Sequence, residues 1–195
     1  MNVYVVVVNG MPKSGKSTLQ RNIQQYLRDH DGCIESGDKS IAIETYIKSS
    51  VSKMYEVERL LGWDGVKTNQ FRDDMATLKQ IYIRNCNGPI RDIVRFAVNR
   101  SVEGKGDASI IFYDCREESE IAALERILLP LSDIGIYFKT LFVRRQAVEY
   151  EQYGNDADNK VFDSGREYDI TFMNDGEEVG IYDKCEDILK LILEV

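Results

Sequence analysis

The chain has 195 residues, 43% of them hydrophobic and 30% charged, which suits one globular domain with a sizeable core. Its 33 acidic and 25 basic side chains leave a net charge of −8, which excludes a protein that coats nucleic acid through a broadly basic surface. An anion can bind such a chain only at a local cluster of donors.

No apolar run approaches the roughly 20 residues of a membrane span, and the N-terminus carries no secretory pattern, so a cytoplasmic protein with no membrane partner is expected. Cys33, Cys86, Cys115 and Cys185 form no CxxC pair and no metal spacing, and read as four reduced thiols. The one histidine, His30, sits between Asp29 and Asp31 in a polar stretch, so a histidine-dependent triad is excluded.

In chain order, residues 2–9 read as a buried strand, because 5–8 is an unbroken run of valine. Residues 10–15 form a turn. Residues 17–28 form a helix, with Leu19, Ile23, Tyr26 and Leu27 at helical spacing. Residues 33–36 suit a short second strand, and 39–61 read as helical. A polar loop, 62–69, surrounds the only tryptophan, Trp63. Residues 70–83 return to helix, broken at 85–89, and Ile90, Ile93, Val94, Ala97 and Val98 mark one stripe of the next helix. Residues 110–113 are a short apolar strand ending at Asp114, followed by a helix over 118–131, a strand over 139–143, a polar segment over 146–165, a strand over 169–173 and a closing helix over 185–193.

Strands alternating with helices imply a parallel sheet with helices on both faces, and ligands in such sheets bind beyond the carboxyl ends of the strands. The chemistry is therefore expected after Val8, Ser36, Tyr113 and Val143.

After the first strand stands Gly10-Met11-Pro12-Lys13-Ser14-Gly15-Lys16-Ser17-Thr18, a complete G-x-x-x-x-G-K-[ST] loop between strand and helix. Backbone amides of Gly10 to Thr18, with Lys13, Ser14 and Gly15 at the centre, would cradle phosphates at a helix N-terminus. Lys16 would reach the β- and γ-phosphates, and Ser17 would ligate Mg²⁺. The fold class this motif implies is a three-layer P-loop NTPase fold with ATP as phosphoryl donor. No N-K-x-D base-reading motif of a GTPase is present, and the length favours a compact kinase.

Asp114 ends an apolar strand and is the second candidate Mg²⁺ ligand. Arg116 follows two residues later and could meet a substrate phosphate. Glu120 lies four residues beyond, where it could orient that guanidinium or favour the start of its own helix.

The phosphate loop, together with D-x-R-x-x-x-E over 114–120, resembles the P-loop nucleoside monophosphate kinases, most of all the phage-type deoxynucleoside monophosphate kinases. The stretches 62–67, 72–79 and 87–89, and Tyr168 to Thr171 with 174–176, add to the likeness. It implies transfer of the γ-phosphoryl of ATP to a (deoxy)nucleoside monophosphate, one kinase domain over 1–195, a helical acceptor region over 39–100 and a lid over 144–165. The acceptor arginines of the adenylate and thymidylate kinases have no clear counterpart.

An acceptor phosphate is already anionic, so the reaction needs alignment and positive charge rather than a strong base. Lys39, Arg84 and Arg91 are the acceptor candidates beside Arg116. Arg72 and Lys79 rest on the resemblance alone. Arg144 and Arg145, at the start of the lid, could neutralise charge during transfer, and Arg145 joins Lys16 and Arg116 as a catalytic candidate. Trp63, Tyr46 and Tyr82 could stack on a base. Kinases of other small metabolites (a nucleoside or dephospho-coenzyme A) and a non-catalytic nucleotide sensor are the alternatives. Nucleotides are the expected partners, nucleic acid is not, and a homodimer is left open.

Overall fold

The computed structural model describes residues 1–148, 165–174 and 178–195. Six strands form one sheet in the order β2-β3-β4-β1-β5-β6. They are β1 (Asn2–Asn9), β2 (Cys33–Ser36), β3 (Lys39–Ser49), β4 (Ala108–Asp114), β5 (Ile136–Arg144) and β6 (Ile170–Met173). The helices are α1 (Lys16–Asp29), α2 (Ser52–Leu60), α3 (Asn69–Cys86), α4 (Gly88–Glu103), α5 (Glu118–Leu128), α6 (Glu178–Tyr182) and α7 (Cys185–Leu193). Short 3₁₀ turns cover Leu129–Ile134 and Gln146–Val148.

The valine run explains the centre of the sheet. β1 pairs in parallel with β4 on one side and β5 on the other. Alternate side chains point to opposite faces, so Tyr4, Val6 and Val8 pack with Leu19, Ile23, Ile188 and Ile192 of α1 and α7. Val3, Val5 and Val7 pack with Ile93, Ile121 and Leu124 of α4 and α5. A strand buried on both faces cannot alternate apolar with polar, which is why it reads as a continuous run. The result is the expected three-layer α/β architecture.

The helix expected over 39–61 is a correction. Residues Lys39–Ser49 are β3, and only Ser52–Leu60 is helical. β2 and β3 are a hairpin, with Ser36 opposite Lys39 and a two-residue loop in which Gly37 takes a φ of +60°. β3 then runs parallel to β4 from Ile43 opposite Ala108 to Ser49 opposite Asp114. Tertiary pairing overrides the local pattern here, and the Gly-Asp loop between two polar-flanked apolar runs was the available signal.

The hairpin reverses β2. The end of β2 at Ser36 therefore lies at the opposite end of the sheet from Val8, and the chain crosses the carboxyl edge at Ser49 and Ser50 instead. The other ends fall where expected, since Val8 lies opposite Asp114 and Leu141, and Arg144 opposite Met173. The helix expected over 118–131 stops at Leu128, and Pro130 belongs to the 3₁₀ turn that follows. Among the described residues, no helix is long and apolar enough to cross a membrane.

α2 and α3 carry an apolar cluster of their own, built on Met54, Phe71 and Met75 with Tyr55, Trp63 and Leu78 against it. It shares no residue with the two clusters that flank the sheet.

Leu124 is fully buried between α5 and the sheet, whereas Leu129 is 54% exposed. Leu124→Ala is expected to destabilise the fold by about 2–5 kcal/mol through the cavity it leaves. Leu129→Ala should stay within about 0.5 kcal/mol of the parent. Urea denaturation midpoints check both.

Candidate active site

The loop between β1 and α1 is held by close backbone approach. Gly10 has a φ of +140°, and a β-carbon there would lie 2.3 Å from the Val143 carbonyl oxygen of β5. Gly15 has a φ of +100°, and its β-carbon would lie 2.2 Å from Asn174 Nδ2. Both positions exclude a side chain by contact as well as by conformation. Lys13 also takes a left-handed φ, +62°.

Side chains fix the two ends of the loop. Asn9 Oδ1 accepts from the Gly10 amide at 2.7 Å, while Asn9 Nδ2 donates to the Tyr168 hydroxyl at 2.8 Å. Asn174, just beyond β6, donates from Nδ2 to the Ser14 carbonyl at 2.7 Å. Lys16 Nζ donates to the carbonyls of Gly10 and Met11 at 2.6 and 2.7 Å. Its ammonium thus lies over the loop it is expected to serve.

The loop opens into a cleft of about 1320 Å³ at the carboxyl edge of the sheet. Lys13, Gly15, Lys16, Ser17 and Thr18 line it, and so do Asp114, Arg116 and Arg145. Asp114 Oδ1 accepts from Gln20 Nε2 of α1 at 2.6 Å. Burial raises the pKa of the Asp114 carboxyl, and the Gln20 donor, Lys16 and Arg116 offset this only in part. Arg145 follows β5, and its Nη1 lies 3.5 Å from the Lys13 carbonyl. The expected lid continues over residues 149–164, which lie outside the described residues.

The other half of the cleft is not built from the expected acceptor residues. Lys39 stands at the start of β3, opposite Ser36 and at the far end of the sheet. The hairpin put it there. Arg84 is exposed about one and a half helical turns beyond Lys79, which does line the cleft. Arg91 lies exposed on α4 beside Asp92, at 3.8 Å. None of the three lines the cleft.

Lys67, Arg72 and Lys79 do, together with Tyr55 and Phe71. Arg72 and Lys79 are seven apart on α3, so they share one face. The aromatic expectations also change. Tyr46 packs edge-on against Phe96, with Arg100 over its ring. Tyr82 is engaged by Lys53 and Asp92. Trp63 stacks on Phe71 at 4.3 Å and donates its indole N–H to the Val66 carbonyl. Trp63 therefore backs the Phe71 wall of the cleft.

Seven cationic side chains and three carboxylates line this cleft in a chain of net charge −8. That is the local donor cluster an acidic protein needs to hold an anion.

Beneath the cleft lies a buried ionic group. Lys79, 4% exposed, places Nζ 2.6 Å from Glu117 Oε2, 2.7 Å from Glu120 Oε2 and 3.1 Å from Ser50 Oγ. The Tyr113 hydroxyl donates to Glu120 Oε1 at 2.5 Å. Glu120 therefore orients Lys79 rather than Arg116. Burial lowers the lysine's pKa, but the two glutamates more than offset it and the net direction is upward. Burial raises the Cys115 thiol well above its ordinary range, with Glu120 adding to the effect, so this cysteine is unreactive.

No protein-family model and no curated protein matches the sequence. Among solved structures, the Mycobacterium tuberculosis APS kinase CysC in complex with AMPPNP and APS aligns over 100% of this chain and 99% of that chain, with a TM-score of 0.51 and 12% identity. A single-residue mutant of the same enzyme aligns over the same shares, with a TM-score of 0.50 and 14% identity. A thymidylate kinase from Ehrlichia chaffeensis aligns over 100% of this chain and 88% of that chain, with a TM-score of only 0.30 and 14% identity. At these identities the likeness is one of architecture, and the chain shares the fold of that APS kinase.

Proposed function

We propose that this protein is an ATP-dependent kinase that moves the γ-phosphoryl to a small anionic acceptor, and that the acceptor is a (deoxy)nucleoside monophosphate. The observation that carries the reading is the shared cleft. Residues of the complete phosphate loop line it, and so do Lys67, Arg72 and Arg116 with Tyr55 and Phe71. A phosphate loop accounts for the donor. The second set of cations beside two aromatic rings suits an acceptor that carries both a phosphate and a planar base.

The donor end fits a magnesium nucleotide. Ser17 and Asp114 both face the cleft next to Lys16, and the buried Asp114 carboxyl is the kind of hard oxygen ligand the ion takes. Magnesium bound there would draw charge from the β- and γ-phosphates. The residues of the chain do the remainder. The loop amides hold the β-phosphate, Lys16 follows the γ-phosphoryl, and Arg145 meets charge on the equatorial oxygens. Arg116, Arg72 and Lys67 hold the acceptor's phosphate in line. No side chain has to remove a proton.

One observation favours a second reading. Asp114 lines the cleft together with Lys16 and Arg116, where a carboxylate could take the proton of an alcohol, so the cleft also suits a kinase whose acceptor oxygen is a hydroxyl.

ADP release with Mg²⁺-ATP, measured against every ribo- and deoxyribonucleoside monophosphate and against free nucleosides, separates the two readings. Turnover that requires a monophosphate supports the first, and turnover with nucleosides alone supports the second. ADP release that ignores the acceptor would indicate an NTPase and overturn both. Lys16→Ala should reduce acceptor-dependent turnover by roughly a hundredfold or more. Arg72→Ala should raise the KM for the acceptor by about tenfold or more and leave the KM for ATP unchanged. Lys39→Ala and Arg91→Ala should behave as the parent in the same steady-state assay.

A further inference from the structure

The ionic group around Lys79 has a direction. Cys115, Glu117 and Glu120 bring ligand atoms within 4.8 Å of one another, a spacing that could hold a metal ion. The Lys79 ammonium already stands between both carboxylates, so the positive charge is built into the chain. Two carboxylates against one ammonium leave one negative charge uncompensated. Glu120 is sealed, because its side chain is 5% exposed and its two oxygens meet Tyr113 and Lys79. The excess therefore falls on Glu117, whose side chain is 39% exposed and lines the cleft.

Glu117 is held by Lys79 and by the backbone amides beside it. Oε2 takes the Lys79 bond at 2.6 Å, and the carboxylate still borders the cleft. Burial raises this carboxyl's pKa, but Lys79 more than offsets that and keeps it below the ordinary range, so it is ionised. A fixed carboxylate in a cleft that collects anions repels a phosphate. It attracts a neutral O–H or N–H. Its chain neighbour is Arg116, the proposed phosphate contact, so what Glu117 meets lies within a few bonds of the acceptor's phosphate. In a nucleotide that is the sugar, since the base lies farther out toward Tyr55 and Phe71.

We infer that Glu117, locked in place by Lys79, accepts a hydrogen bond from a sugar hydroxyl of the acceptor and makes that hydroxyl a condition of good turnover. Lys79 is the positioning residue, acting through Glu117. The inference rests on the monophosphate reading above and adds to it a discrimination among acceptors.

The test compares kcat/KM for each nucleoside monophosphate with that for its 2′,3′-dideoxy counterpart, in the parent and in Glu117→Ala. Removing Glu117 leaves Lys79 and Glu120 as a balanced buried pair, so the variant should fold. The parent should prefer the hydroxylated acceptor by about tenfold or more, as expected for a hydrogen bond to a charged group. Glu117→Ala should bring that ratio to within about twofold of unity, with the KM for ATP unchanged. Lys79→Gln should reduce the ratio likewise, and Lys79→Arg should restore part of it, which a merely structural role would not produce. A parent without preference, or a Glu117→Ala variant that keeps the full ratio, would overturn the inference while leaving the kinase reading intact. A parent that turns over no monophosphate of either kind would overturn both.

Discussion

The distance between β1 and β5 at their carboxyl ends governs this molecule. The two strands pair up to Asn9 opposite Phe142, and the chain leaving β1 then passes so near the Val143 carbonyl that only a residue without a β-carbon fits at position 10. On the other side Gly15 is required by its φ of +100°, with the Asn174 side chain of the segment after β6 packed against it. The loop is thus clamped between two neighbouring strands before any ligand is considered. Its amides are oriented by the sheet, and a preorganised set of dipoles costs little to reorganise when charge arrives. Asn9 and Asn174 complete the clamp by bonding to the loop's backbone.

A second constraint shapes the acceptor half. Burying a lone ammonium is costly, and a buried ion pair seldom gains stability over apolar packing. Lys79 is nonetheless buried with two glutamates, and it joins three segments: α3, the end of β3 at Ser50, and the loop from β4 into α5. α2 and α3 have their own small apolar cluster, separate from those on the sheet. Directional polar contacts such as this one, and Lys53 to Asp92 at 2.6 Å, also join them to the body. Such contacts fix geometry more closely than apolar packing does. In the proposed reaction that geometry places Arg116 and Glu117 against the acceptor.

The donor half was legible because its chemistry is local. The phosphate loop needs glycines, a lysine and a hydroxyl at fixed spacing within nine residues, and the valine run before it marks a strand covered on both faces. Asp114 was legible for the same reason, as a carboxylate closing an apolar strand. The acceptor half was not. Reading 39–61 as one helix put Lys39 near the cleft, whereas a two-residue hairpin loop carries it to the far end of the sheet. Arg84, Arg91, Arg72 and Lys79 look alike as basic residues in helical segments. Which of them face the cleft depends on how α3 is rotated against the sheet, and no short sequence pattern encodes that rotation.

By itself the sequence determined the three-layer α/β class, the central strand, the phosphate loop and the carboxylate beside it, because each follows from residues adjacent in the chain. Tertiary structure alone decided that Glu120 meets Lys79 across 41 positions of chain, that Lys67 and Arg72 rather than Lys39 share the cleft with Lys16, and that Trp63 supports a wall instead of forming it. The physical reason is the same in each case. Partners far apart in sequence are chosen by strand pairing and helix packing, which act on the whole chain at once.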